Sequence, residues 1–175
     1  MLNFKQFLEE GRDAPLYHAT YTEAAAKILK DGVLMGVTKH KLPNATVAGV
    51  SLSRDLKTAT NLAYHEFNHN TVVVFELDQR KLAQRHKIKP LNFYMTNFWK
   101  QEERAGQPAR YQNSNFFFGK RNNEYEEFVL GDIKNVDKYI KKIHSTSNLT
   151  TERIEKYPNL HNHPKLFING KFVNA

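Results

Sequence analysis

The sequence predicts an α+β domain, and three observations carry that expectation. The run TVVVFELD (71–78) is β-branched and almost continuously apolar, which reads as a strand buried on both faces. Two helical stretches, one around AAAKIL and one after Asp55, each follow a strand-like segment. The later strand-like segments follow one another with little helix between them. The helices therefore gather early in the chain, as in an α+β arrangement, and do not alternate with strands as a βαβ repeat requires.

Taken in order, residues 15–19 read as a strand and residues 21–31 as a helix. Thr20 or Thr22 is placed to cap that helix, and Gly32 to stop it. VAGVSLS (47–53) predicts a second strand. Asp55 then caps a helix running to about residue 67. After the 71–78 strand, QRKLAQRH predicts a short helix. Residues 92–122, rich in aromatic and amide side chains, read as a long loop with room for one short strand. EYEEFVLGDI (124–133) and VDKYIKKI (136–143) are read as further strands, and KLFINGKFV as a hairpin turning at Asn169-Gly170.

Three zones follow: residues 1–10 as a short amphipathic segment, 11–144 as the main domain, and 145–175 as a C-terminal extension. The 175 residues suffice for one domain with a real core, and 40% hydrophobic residues supply it. No apolar run approaches the ~20 residues that cross a bilayer, so no membrane partner is expected. With no cysteine, disulfides, thiolate metal sites and a Cys nucleophile are excluded. The formal net charge of +8 points to a polyanionic surrounding such as DNA, although the Lys and Arg residues are scattered. His65 and His69 have zinc-ligand spacing without an evident third ligand, and His161-Asn162-His163 spells HNH outside the longer unit that nucleases use. No metal is expected.

Several motifs stand in a telling order: LYHAT, a helix ending in IL-x-x-G, VSLSR, VVVFELD, and EYEEFVLGDIKNVDKYIKKI. Over roughly residues 14–144 this order resembles the NAD-dependent ADP-ribosyltransferase superfamily. The resemblance implies split antiparallel β-sheets with flanking helices, and NAD as substrate. It implies that His18 contacts a ribose hydroxyl and the Ala19 backbone the nicotinamide amide, with Thr20 beside them. Ser51 and Ser53 would support the pocket, Arg54 would meet the pyrophosphate, and an aromatic ring, Tyr64 or Phe67, would cover the nicotinamide.

Breaking the nicotinamide–ribose bond develops positive charge on the sugar, which a nearby carboxylate stabilises. Strand alternation puts Glu124 and Glu126 on one face and Glu127 on the other. Glu127 is the favoured catalytic residue and Glu126 the alternative. Glu126 would form an E-x-E pair with Glu124, the pattern of arginine-modifying relatives.

The N-terminal stretch MLNFKQFLEE before Gly11 resembles the capsid-targeting segments of proteins packaged into T-even-like phage heads. That implies cleavage after Glu10 by a prohead protease. It also implies residence in the virion beside packaged DNA, and delivery to the host cytoplasm. The acceptor would be a host protein or nucleic acid. Two alternatives stand beside this reading: an inactive basic internal head protein, and an NAD-using RNA 2′-phosphotransferase.

Overall fold

The computed structural model describes residues 14–38, 48–67, 72–90, 126–145, 155–168 and 171–173. Its strands are β1 (Leu16–Tyr21), β2 (Val33–Leu34), β3 (Val37–Thr38), β4 (Ala48–Ser53), β5 (Val72–Leu77), β6 (Ile88–Pro90), β7 (Glu126–Leu130), β8 (Ile133–Lys134), β9 (Ile140–Ser145), β10 (Leu166–Ile168) and β11 (Lys171–Phe172). The helices are α1 (Thr22–Asp31), α2 (Leu56–Phe67), α3 (Gln79–Ala83) and α4 (Pro158–His161). Nine strands form one sheet in the order β11-β10-β9-β5-β1-β4-β7-β6, with β3 also on β4, while β2 and β8 pair separately. All pairings in the large sheet are antiparallel except β9 with β10.

Every residue of β5 is buried, as its unbroken apolar run requires of a central strand. Alternation sends Val73, Phe75 and Leu77 into the larger core, which also takes Leu16, Val50, Leu52, Val129 and Ile143 from neighbouring strands and Ala25 and Ala26 from α1. Val72 and Val74 go to the other face, where Ala59 and Ala63 of α2 cover them with Tyr17, Ala19 and Leu56. The sheet thus has an α1 face and an α2 face.

One junction in the sheet is slight. β1 and β5 register over six residue pairs and β4 and β7 over five, but β1 and β4 register at one pair, Tyr17↔Ser53. The two halves of one sheet meet at this seam, where the resemblance implies a split.

Helix ends show where the local reading succeeds and where it fails. Gly32 terminates α1 in the left-handed region (φ 67°), its amide donating to the Ile28 carbonyl at 2.8 Å. Asp55 caps α2 by accepting from the Thr58 amide at 2.7 Å. The expected threonine cap of α1 is corrected: Tyr21 holds the N-cap position without a side-chain bond. Thr20 is committed to β1 and Thr22 lies in the first turn, so neither occupies that position.

Two strand expectations are also corrected. Residues 124–133 do not form one strand, because Gly131 turns at φ 75° and divides β7 from β8. Residues 136–143 begin as a 3-10 turn over Val136–Lys138, and β9 starts at Ile140. The expected C-terminal hairpin forms, with Phe167 opposite Phe172. The C-terminal segment also supplies Leu160 and Leu166 to the larger core. Its HNH residues hold local structure, His163 pairing with Asp137 at 3.1 Å and His161 with Asn162 at 3.0 Å. The expectations for residues 1–10, for the 92–122 loop and for Glu124 lie outside the described residues.

Candidate active site

The polar centre of the sheet is built from the end of β4, the middle of β7 and the start of α3. Leu52 lies directly opposite Glu127, so the side chain of Glu127 points to the α1 face. Two residues on from Leu52, Arg54 reaches the same face. Its Nε donates to Glu127 Oε1 at 2.6 Å and its Nη1 to Gln79 Oε1 at 3.0 Å. Glu127 is 2% exposed and the Arg54 side chain 14%. A carboxylate so enclosed is costly without a charged, hydrogen-bonded partner, and the guanidinium supplies one.

Gln79 is itself buried, at the first position of α3. Asp78 caps that helix by accepting from the Lys81 amide at 3.1 Å, which fixes where Gln79 begins. Gln79 is a site residue that sequence reasoning missed. Its signal was a polar residue continuing the apolar alternation of Phe75 and Leu77, two positions past the end of β5.

His18 sits at the seam. Its Nδ1 donates to the Ser51 carbonyl at 3.0 Å, bridging β1 and β4 next to their single backbone pair. A carbonyl only accepts, so Nδ1 carries the proton. Burial lowers the pKa of His18, partly opposed by that hydrogen bond, which favours the neutral ring with Nε2 as an acceptor. Thr20 is buried two residues along the same strand face. β4 alone separates β1 from β7, so two strand spacings, about 10 Å, divide their backbones.

The remaining expected site residues fall elsewhere. Ala19 packs with the smaller core on the α2 face. Ser51 offers its carbonyl to His18, while its position alternates with Leu52 onto the α2 face. Ser53 is buried there and ties down the entry to α2. Its hydroxyl donates to the Asp55 carbonyl and accepts from the Asp55 amide, both at 3.1 Å. Glu126 is registered with Ser53 and not with Leu52. Tyr64 is 50% exposed on α2, the helix that covers the face away from Glu127. The structure therefore puts His18, Thr20, Arg54 and Glu127 on one face of the sheet, and leaves Ser51, Ser53 and Tyr64 to the other.

A mostly antiparallel sheet with helices on both faces is an α+β arrangement that matches the DarT fold. Among solved structures the chain is similar to Thermus sp. 2.9 DarT in complex with NAD+ (12% identity, TM-score 0.53, covering 90% of this chain and 96% of that one). It is also similar to the same DarT in complex with ADP-ribosylated ssDNA (11% identity, TM-score 0.52, covering 90% and 95%). The complex with carba-NAD+ gives 12% identity and a TM-score of 0.52. No family model matches the sequence, and no curated protein matches it.

Proposed function

We propose that the protein is an NAD-dependent ADP-ribosyltransferase with a nucleic-acid acceptor, and that Glu127 and Arg54 carry the chemistry. The observation behind this reading is the buried Arg54–Glu127 pair, which shares a face with His18 beside the seam. The residues fit the substrate. Neutral His18 offers Nε2 to a ribose hydroxyl, and the Arg54 guanidinium supplies positive charge for a pyrophosphate. Glu127 offers a carboxylate to the sugar as it becomes cationic. In the reaction the ribose C1′–N bond breaks and its electron pair goes to the nicotinamide nitrogen. An acceptor atom then bonds C1′ and gives up its proton. The acceptor assignment draws on the net charge of +8 and on the DarT complex with ADP-ribosylated ssDNA.

The protein is incubated with NAD labelled in its adenosine portion and with a single-stranded oligonucleotide. The expected result is nicotinamide release with label on the oligonucleotide, lost in Glu127→Gln. Absence of nicotinamide release would overturn the reading. Label on protein alone would redirect the acceptor.

The delivery route is part of the same proposal. The run Leu8-Glu9-Glu10 before Gly11 supports packaging in a phage head, trimming by the prohead protease and release into the host cytoplasm. Mass spectrometry of mature particles should find Gly11 as the first residue. An intact Met1 or Leu2 in those particles would remove the trimming proposal, and absence of the protein from the particles would remove the packaging one.

A further inference from the structure

On the α2 face, away from Glu127, aromatic and imidazole rings run toward the C-terminal edge of the sheet. Tyr17 meets His144 edge-on at 6.3 Å between centroids, His144 meets Phe167 at 5.7 Å, and Phe167 meets Phe172 at 5.1 Å. Register explains the run, since Phe167 lies opposite both His144 on β9 and Phe172 on β11. His144 is anchored by Glu76, whose carboxylate lies 2.7 Å from Nε2. Lys142, opposite Glu76 on β9, holds its ammonium 5.0 Å from the Phe167 centroid.

Two features separate this surface from ordinary packing. Phe167 and Phe172 belong to neither hydrophobic cluster among the described residues, and Phe172 is 42% exposed. Lys142 is on the same face as the rings, Lys141 and Lys171 lie on the same strands, and the Glu76 carboxylate of that face is engaged by His144. An exposed aromatic ring beside a lysine, in a chain of net charge +8, matches a polyanion that carries flat, unstacked bases. A duplex hides those base faces within its own stack.

We infer that the surface formed by β9, β10 and β11 binds single-stranded nucleic acid. Bases stack against Phe172 and Phe167, and Lys142 faces a phosphate. This rests on the nucleic-acid reading of the acceptor, and it places a holding surface apart from the Arg54–Glu127 pair.

The test is fluorescence anisotropy of a labelled twelve-residue oligo-dT titrated with the full chain, without NAD. Phe172→Ala should weaken binding about tenfold or more, the range of one lost base stack. Phe172→Tyr should bind like the wild type, and circular dichroism should confirm that both variants are folded. Lys142→Gln should reduce the slope of log affinity against log salt by about 0.7, one phosphate contact on a single strand. Unchanged affinity in Phe172→Ala and Lys142→Gln overturns the assignment, as does equal affinity for a duplex of the same length. Nicotinamide release by the wild type, measured without oligonucleotide, separates the two readings. Release without oligo-dT binding rejects the surface and leaves the transferase. Binding that depends on Phe172, without release, rejects the transferase and leaves the surface.

Discussion

Two buried glutamates sit in this sheet on opposite faces, and their surroundings differ in kind. Glu127 on β7 is paired at 2.6 Å with Arg54, which Gln79 grips from a third element. Glu76 on β5 is paired at 2.7 Å with His144 and flanked by Tyr17, whose phenol is pushed above its ordinary pKa by burial and by the charges of Glu76 and Asp55. The first partner is a guanidinium, charged wherever the protein is folded; the second is an imidazole, charged only when protonated. The Arg54–Glu127 pair stands beside the one-pair seam between β1 and β4, where the sheet is least continuous. Glu76 joins β5 to β9 within a five-pair ladder, beside a register shift between Glu76 and Leu77. Similar burial and similar distances thus come with different surroundings: one carboxylate lies beside the seam, the other between two paired strands.

That contrast can be broken most directly at Glu127. Glu127→Gln keeps the shape and an acceptor for Arg54 but removes the charge, so kcat should fall about 10²–10³-fold. NAD affinity, measured by calorimetry, should change far less. An equal loss of turnover in Glu76→Gln would erase the distinction between the two sites.

Gln79→Leu comes next. It leaves Glu127 intact but frees the guanidinium to shift, and a displaced catalytic group should lower kcat about tenfold. Gln79→Glu, which can still accept from Nη1, should recover most of that loss. An unaffected kcat in Gln79→Leu would mean that Arg54 is positioned without it.

For Glu76→Gln the effect should appear in stability. Gln keeps an acceptor for His144 but removes the charge, which should cost about 1 kcal/mol, or roughly 2–4 °C in Tm for a chain of this size. A calorimetric Tm within 1 °C of the wild type would show that the pair is idle.

The smaller effects concern His18 and Glu126. Burial depresses the pKa of His18, so the folded protein resists a proton that the unfolded chain accepts near pH 6.5. The stability this gives is present above about pH 6.5 and is lost as pH falls toward the depressed folded value. His86 and His163 are shifted down as well and add to the trend, each mainly through burial. Tm should therefore decline between pH 7 and 5, and His18→Gln should flatten part of that slope. Glu126→Gln should leave kcat within about twofold, because register sets it opposite Ser53. A large loss there would move the reacting carboxylate to the other face of β7.

Much of the fold could be read from local chemistry. The β-branched run gave β5, Asp55 and Gly32 marked helix ends, and Asn169-Gly170 marked the hairpin. The α1 cap was misread because the chain enters that helix directly from a strand, at a residue with no capping side chain. The break at Gly131 had its signal in the Gly-Asp pair, but the apolar residues on either side obscured it. Within the site, alternation separated Glu126 from Glu127 but was silent on which face meets Arg54. That depends on β4 lying beside β7, a pairing across more than seventy residues of sequence. The Gln79 contact depends on tertiary geometry in the same way.

The contact between Gly49 and Phe128 constrains how this chain can vary. A β-carbon built at position 49 would lie 2.3 Å from the Phe128 ring and 2.4 Å from the Val129 carbonyl, so the ring occupies the space that any other residue would need. Gly49→Ala alone has to wedge β4 from β7, and the disturbance reaches the Leu52↔Glu127 step three positions along the ladder. Shrinking Phe128 relieves the ring clash but not the carbonyl, so even a paired exchange remains tight. Position 49 is held to glycine by the backbone of the neighbouring strand as well as by the ring, and that glycine lets β4 approach β7 closely enough to hold Glu127 in register.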